Sequence, residues 1–175
     1  DRDRRKEDTV GVTSAALVAQ RARTFDKWQP KLSLAWRPSD QLTAYVTGAV
    51  GFKAGGFNPL PGPADVWQAV FPGETTKSVE AGVKAQSADG AVRASIAGFV
   101  TDYRNFQNTV FLGNSVVLSV PKVKVHGLEA SADVALGAGF RADGGIAWTH
   151  SRTGHYLTPN PTPEPGEPAI LDMSG

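Results

Sequence analysis

The chain contains no cysteine among its 175 residues, which excludes disulfides, thiolate metal ligands and cysteine nucleophiles. Its net charge is only +1, and basic residues are interleaved with acidic ones, which argues against a nucleic-acid-binding groove. No apolar run approaches the roughly 20 residues of a membrane-spanning helix. The first residues, Asp1–Asp8, lack the apolar segment of a signal peptide. Either the chain is cytosolic or its natural ends lie elsewhere.

Catalytic and metal-binding patterns are missing as well. His126, His150 and His155 lie on separate segments without metal-ligand spacing. Serine is present, but no nucleophile elbow surrounds it. The glycine-rich stretch Gly51–Asn58 (GFKAGGFN) lacks the pattern of a phosphate-binding loop. We therefore expect no enzyme, no metal site and no bound cofactor.

What the sequence does contain is a period of two, in which apolar and polar residues alternate as in half-buried strands. Short turn sequences such as Asp89-Gly90 and Gly137–Gly139 separate these stretches. The pattern predicts six strands in three hairpins: Lys31–Arg37 with Gln41–Lys53, Glu74–Gln86 with Ala91–Asn105, and Val117–Leu136 with Phe140–Ser151.

Between the hairpins lie long segments without clear periodicity, interpreted as loops. Within the first of them, Ala15–Arg23 is a candidate for a short helix. The apolar positions of the fifth strand change parity at His126-Gly127, which predicts a β-bulge there. The predicted loops are Asp8–Lys27, Ala54–Gly73, Phe106–Val116 and Arg152–Gly175.

Short turns alternating with long loops favour an antiparallel up-and-down transmembrane β-barrel segment, with short periplasmic turns and long extracellular loops. Gln41–Lys53 and Ala91–Asn105 reach the roughly 9–11 residues that a tilted strand needs to cross a bilayer. The alternative is a soluble β-sandwich or lipocalin-like barrel with one wet face. Aromatic residues near strand ends suit two interfacial girdles: Trp36, Phe52, Phe140 and Trp148. The opposite face is charged, as a watery or plugged lumen would be: Lys31, Glu80, Lys84, Arg93, Glu129, Asp133, Arg141 and Asp143.

Five motifs, in order along the chain, resemble the C-terminal half of the barrel of TonB-dependent outer-membrane receptors. They are Phe25–Tyr45, Gly51–Asn58, Glu74–Lys84, Phe99–Gln107 and Val125–Glu129. The motif residues, to which the resemblance gives a structural role, are Pro30, Gly51, Gly55, Gly56, Glu74, Glu80, Gly82, Asp102, Tyr103, Gly127 and Glu129.

The resemblance implies that residues 1–175 are part of a 22-stranded barrel in the outer membrane of a Gram-negative bacterium. It also implies that the plug domain, the TonB box and the last barrel strand lie outside these residues. The implied partners are outer-membrane lipid, an extracellular ligand such as a ferric siderophore, and the plug and TonB complex of the full-length protein, with no nucleic acid. The implied function is import of a bulky, scarce solute; a passive porin-like barrel is the alternative. Six strands cannot close a barrel, so we expect the piece alone to form no stable membrane barrel.

Ligand contacts are expected near the long loops, at the rim of the lumen. Glu74, Glu80 and Glu129 are assigned to structure instead, pairing with Lys84 or Arg93 or holding the plug. The loop residues Trp67 and Tyr156–Leu157 are candidates for stacking on an apolar ligand. The candidate lumen residues are Lys53, Arg104, Asn105, Gln107 and His150.

Overall fold

The computed structural model describes residues 2–10, 17–58, 70–111, 115–160 and 164–175, and their regular elements are all β-strands. Within these ranges no helix is long and apolar enough to cross a membrane. The strands are β1 (Arg2–Val10), β2 (Leu17–Asp26), β3 (Lys31–Ser39), β4 (Leu42–Lys53), β5 (Gly56–Phe57), β6 (Val70–Phe71), β7 (Glu74–Gln86), β8 (Val92–Phe111), β9 (Ser115–Gly137), β10 (Phe140–Thr153), β11 (Leu157–Pro159) and β12 (Ile170–Asp172).

Six strands form one antiparallel sheet in the order β10-β9-β8-β7-β4-β3. Each of the three predicted hairpins is present, so the all-β up-and-down architecture is confirmed. Strands β3 and β10 are the two edges, and no strand in the described ranges joins them. The six-stranded sheet is therefore open and does not close into a barrel within the described residues. Three small antiparallel ribbons accompany it: β1-β2, β5-β6 and β11-β12.

The alternation along the strands separates an apolar face from a polar one. The apolar face leaves large side chains uncovered: Ile146 is 75% exposed and Phe140 is 71% exposed. A soluble sandwich would cover this face with a second sheet, and among the described residues no second sheet packs on it. An uncovered apolar face with a polar reverse side is what a barrel wall presents to lipid and lumen. We call the two faces outward and lumenal.

Strand β8, at 20 residues, continues six residues past the predicted end at Asn105. Strand β9, at 23 residues, begins two residues before the predicted start at Val117 and ends one residue after Leu136. Their pairing runs to Phe111 opposite Ser115, so the loop expected at Phe106–Val116 is largely strand. At roughly 3.3 Å per residue, β9 is about 75 Å long, far more than a bilayer crossing requires. The β8-β9 hairpin therefore extends well beyond the membrane on the long-loop side.

The β-bulge expected at His126-Gly127 is wrong. Pairing of β9 with β8 and with β10 passes through both residues without a shift of register. The parity change has another cause. Leu128 lies on the exposed apolar face, whereas Val123 and Val125 lie on the lumenal side, where they pack in a core that includes Tyr156. Hydrophobicity changes face because the surroundings change, and the backbone stays regular.

The remaining loop predictions also need correction. Residues 17–23 of the candidate helix belong to β2, which pairs with β1 in a ribbon; residues 15 and 16 lie outside the described ranges. Strand formation satisfies the backbone groups of this segment, whose apolar residues are too few to support a packed helix. The segments 54–73 and 152–175 each contain a short strand pair, β5-β6 and β11-β12.

Candidate functional site

The lumenal face at mid-height is built around Tyr45. The Tyr45 hydroxyl donates a hydrogen bond of 2.8 Å to Glu80 Oε1 across the β4-β7 pair. The Lys84 ammonium lies 5.4 Å from the centroid of the Tyr45 ring, within cation–π range. The Glu80 carboxylate thus accepts a hydrogen bond from a tyrosine hydroxyl. Lys84 makes a cation–π contact with the tyrosine ring and no ion pair with Glu80 in the described part of the chain.

Two motif glycines make room for aromatic rings on this face. A Cβ at Gly82 would lie 2.8 Å from both the Tyr45 hydroxyl oxygen and the Ile96 carbonyl oxygen. A Cβ at Gly127 would lie 2.8 Å from the Phe99 ring and 2.5 Å from the Trp148 carbonyl oxygen. Real side chains do not approach so closely, so a side chain at either position would displace the ring and the neighbouring backbone carbonyl.

Near the short turns the lumenal face encloses a concave polar region of about 1090 Å³. Its lining is mixed in charge, and Arg141 Nε contacts Asp133 Oδ2 at 3.2 Å. Asp133 Oδ1 is buried and has no hydrogen-bond partner in the described part of the chain. The charged lining residues are Arg37, Asp40, Lys84, Arg93, Asp133 and Asp143.

At the long-loop end the same sheet has a small hydrophobic core. Tyr103, Phe106, Val110 and Val125 pack around it. Asn105 adopts a positive φ of 53° at this level, and the buried positions change parity here, from Val120 to Val123. The buried core consists of Val116, Leu118, Val120, Val123 and Tyr156.

Polar side chains fasten the loops to this core. Asn58, 2% exposed, donates from Nδ2 to the Val117 carbonyl at 2.7 Å and accepts the Val117 amide at 2.8 Å. The Asn58 side-chain amide thereby makes the pair of hydrogen bonds with Val117 that the backbone of a neighbouring strand would make. Asn108 Nδ2 donates to the Tyr156 hydroxyl at 2.9 Å, which joins the segment after β10 to β8.

Gln107 ties the segment after β4 to β8. Its Nε2 donates to the Ala54 carbonyl at 2.8 Å and to the Pro72 carbonyl at 3.3 Å. Its backbone amide donates to Glu74 Oε2 at 2.9 Å. The contact that Glu74 makes here is thus with the backbone of β8, which differs from the expected pairing with Lys84 or Arg93.

The predicted ligand residues are placed in different surroundings. Lys53 is exposed at the lumenal rim opposite Glu74, and Asn105 lies at the level of the hydrophobic core. Trp67 lies outside the described residues. The lumenal orientation expected for Arg104 and His150 is corrected, because alternation places both on the outward face, in line with Val100 and Trp148.

Other motif residues have local structural explanations. The Pro30 carbonyl accepts the Val50 amide at 2.9 Å and extends the β3-β4 ladder. Tyr103 packs edge-on against Phe106, with ring centroids 5.5 Å apart. A Cβ at Gly55 would collide with the Phe71 carbonyl oxygen and the Phe25 ring, and one at Gly56 with the Phe71 ring. Gly51 lies opposite Thr76 and Glu129 opposite Ala97 on the lumenal face, whereas Asp102 lies opposite Lys77 on the outward face.

Sequence reasoning missed an aromatic cluster on the outward face. The His126 ring lies 5.6 Å from Trp148 and 5.2 Å from His150, and Trp148 and His150 are nearly parallel at 11°. The spacing Trp148-x-His150 on one strand was its signal. Among the described residues no group of three or more His, Asp or Glu could hold a metal ion.

A family model described as TonB dependent receptor-like, beta-barrel, matches residues 1–168. The chain belongs to this family. TonB-dependent receptors are outer-membrane proteins of Gram-negative bacteria, and the family comprises receptors and transporters, not enzymes. The open sheet is thus wall from such a receptor barrel.

Solved TonB-dependent receptors share the fold. The ferric yersiniabactin uptake receptor FyuA from Yersinia pestis is 23% identical with a TM-score of 0.62, over 77% of this chain and 20% of that one. The alcaligin receptor FauA from Bordetella pertussis is 19% identical, with a TM-score of 0.54, over 78% and 24%. The FrpB iron transporter from Neisseria meningitidis is 15% identical, with a TM-score of 0.54, over 77% and 20%. The chain spans about a fifth to a quarter of their length.

Proposed function

We propose that this chain forms part of the wall of a receptor that imports a bulky, scarce solute across the outer membrane, a ferric siderophore being the favoured class. The observation that carries the proposal is the family match over residues 1–168. The printed descriptions of the structural neighbours name ferric yersiniabactin, alcaligin and iron, which supports the solute class.

The lumenal face near the short turns suits docking of the receptor's own plug domain. The concave region there is polar and mixed in charge. Asp133 Oδ1 is buried without a hydrogen-bond partner in the described ranges, and a buried carboxylate oxygen is costly unless a donor reaches it. A donor from the plug would satisfy it, and TonB would act on that plug.

Ligand contact is assigned to the lumenal rim at the long-loop end. Lys53 is the described candidate with an exposed charge on that rim. Asn105 and Trp67 complete the proposed set, and Gln107, which binds the carbonyl groups of Ala54 and Pro72, has a supporting role. A cationic side chain suits the anionic groups of many iron chelates.

Uptake of iron-loaded siderophores by cells expressing the full-length receptor tests the function. We expect saturable, energy-dependent uptake that stops when TonB is deleted. Uptake that persists without TonB and rises linearly with solute would indicate the passive porin instead.

The rim assignment is tested separately with Lys53→Ala. We expect ligand binding to weaken by roughly 10- to 100-fold, since hydrogen bonds to charged groups contribute roughly 1.5–3 kcal/mol. Lys31→Ala is the matched control, because it removes another exposed lumenal lysine, on β3. Equal affinities of both variants and the wild type would exclude Lys53 from the site.

A further inference from the structure

The outward face carries a concentration of basic residues that the proposed import function does not use. The register aligns Lys77, Asp102, Lys124 and Arg152 in one row across the sheet, and Arg104 with Lys122 in the next outward row. Asp102 is the acidic member of the two rows, so five positive charges oppose one negative charge. We define the basic patch as Lys77, Arg104, Lys122, Lys124 and Arg152.

The basic patch begins where the apolar surface ends. The preceding outward row consists of Val79, Val100, His126 and His150. On β8 the apolar outward positions run from Val92 to Val100, about 26 Å along the strand at 3.3 Å per residue, close to the roughly 25 Å apolar band of membrane barrels. The patch lies on the long-loop side, which is extracellular, so it meets the headgroups of the outer leaflet.

The border between apolar band and patch has the character of a membrane interface. The cluster of His126, Trp148 and His150 described above stands on this border, and Trp148 is 54% exposed. Indole rings favour the level of the lipid headgroups, where the apolar part of the ring contacts hydrocarbon and its N–H group contacts water or headgroups. The cluster independently marks the depth at which the patch begins.

The charges of the patch are available to a ligand. All five basic residues are exposed. Within the described part of the chain no ion pair engages them, although Asp102 is a neighbour in register. Five cations against one carboxylate leave a net positive charge in two adjacent rows, which attracts anions strongly at a low-dielectric boundary.

We propose that the basic patch binds the phosphate groups of anionic glycolipid headgroups in the outer leaflet. Arg104 and Arg152 offer planar donor pairs that match phosphate oxygens, and the three lysines add point charges. Basic clusters beside a membrane gain affinity for anionic lipid with each Lys or Arg. The glycolipid chains lie along the apolar band below, so one molecule contacts both surfaces.

The full-length receptor, purified in neutral detergent, is titrated with diphosphorylated lipid A in mixed micelles, and with the same lipid stripped of phosphate. The patch variant is Lys122→Gln, Lys124→Gln and Arg152→Gln combined. The matched control is Lys31→Gln, Lys84→Gln and Arg93→Gln, which removes the same charge from the lumenal face. Native mass spectrometry gives the affinities, and the circular dichroism spectrum of each variant verifies folding.

We expect wild type and lumenal control to bind the diphosphorylated lipid equally, and the patch variant to bind it roughly 100-fold more weakly. The double variant Lys122→Arg with Lys124→Arg keeps both positive charges, and we expect it to bind the lipid as the wild type does. This result would show that the patch variant loses binding through lost charge and not through a packing defect. Unchanged binding by the patch variant, or an equal loss in the control, overturns the proposal. Equal stabilisation by inorganic phosphate would also overturn it, since the patch would then take free phosphate.

Discussion

The membrane-spanning part of the sheet and its long-loop end place apolar side chains on opposite faces of the same strand. In the spanning part of β9, Leu128 points outward and is 55% exposed. Further along, Val123 points to the lumenal side and is 8% exposed. No register shift separates them. The face that is apolar is therefore set by what covers it, lipid in one region and loops in the other.

The two regions also differ in what holds them together. The long-loop end has its own core of Val116, Leu118, Val120, Val123 and Tyr156, so it is stabilised by burial within the chain. The spanning part has strand pairing, lumenal hydrogen bonds and lipid, and no described hydrophobic side chain at its mid-height is buried. The two regions should respond differently to substitution.

The largest difference is expected for Leu118→Ala. Leu118 is 4% exposed, and truncating a buried leucine costs about 2–5 kcal/mol through lost burial and the cavity it leaves. Native-state hydrogen exchange in the full-length receptor should show this loss at the amides of residues 116–120. Leu136→Ala, on the outward face, is the control and should leave those amides protected. Equal losses at both ends of β9 would mean that the strand is a single cooperative unit.

A smaller effect, about 2 kcal/mol, is expected for Asn58→Ala. The substitution leaves the amide and the carbonyl of Val117 without partners, and buried unpaired groups are costly. Limited proteolysis of the segment 54–73 should accelerate. Asn58→Asp keeps an acceptor for the Val117 amide, but it buries a charge and turns a second oxygen toward the Val117 carbonyl, so it should cost at least as much as alanine. Proteolysis unchanged in both variants would show that Asn58 does not fasten this loop.

In the spanning part, Gly82→Ala is expected to cost about 1–3 kcal/mol, because the new methyl group collides with Tyr45 and the Ile96 carbonyl. Gly48→Ala is the matched control on the neighbouring strand, since its Cβ would meet nothing within 4 Å. Urea unfolding of the full-length receptor in micelles measures both. If Gly82→Ala lowers the free energy of unfolding no more than Gly48→Ala does, the Tyr45 ring moves aside without measurable cost.

The three hairpins could be predicted because their signals are local. The dipeptide Asp89-Gly90 favours a tight turn, and Gly90 has the positive φ of 69° that such turns use. The strands on either side alternate regularly, because over the whole membrane crossing one face of each strand meets lipid and the other meets the lumen. Local signals of this kind need no knowledge of distant residues.

The long-loop end could not be predicted, because its polarity depends on partners far along the chain. Asn58 hydrogen-bonds Val117 of β9, 59 positions away. Tyr156 packs in the same buried cluster as Val116. Reading the polarity change near His126 as a bulge followed from assuming one apolar face throughout. Arg104 and His150 are polar and lie on the outward face next to the apolar surface, so polarity alone does not identify a lumenal residue there.

The smallest effect is expected at the turn between β7 and β8, in the pH dependence of stability. The Ser87 hydroxyl, followed by the Ala91 amide, hydrogen-bonds the Asp89 carboxylate and lowers its pKa below the ordinary value of 3.8. A pKa lowered by folding stabilises the folded state above 3.8, and this contribution is lost as the pH falls through the lower folded value.

Asp89→Asn removes the titrating charge but keeps an acceptor oxygen, which isolates this contribution. The difference in melting temperature between wild type and Asp89→Asn should be constant near neutral pH and shrink as the pH falls below about 4. Asp40→Asn, in the turn between β3 and β4, is the control. Because the carboxylate is fully solvent-exposed, the change is small, and a difference that grew on acidification would contradict the assigned hydrogen bonds. The turn would then owe its stability to backbone conformation alone, with Gly90 as its determinant.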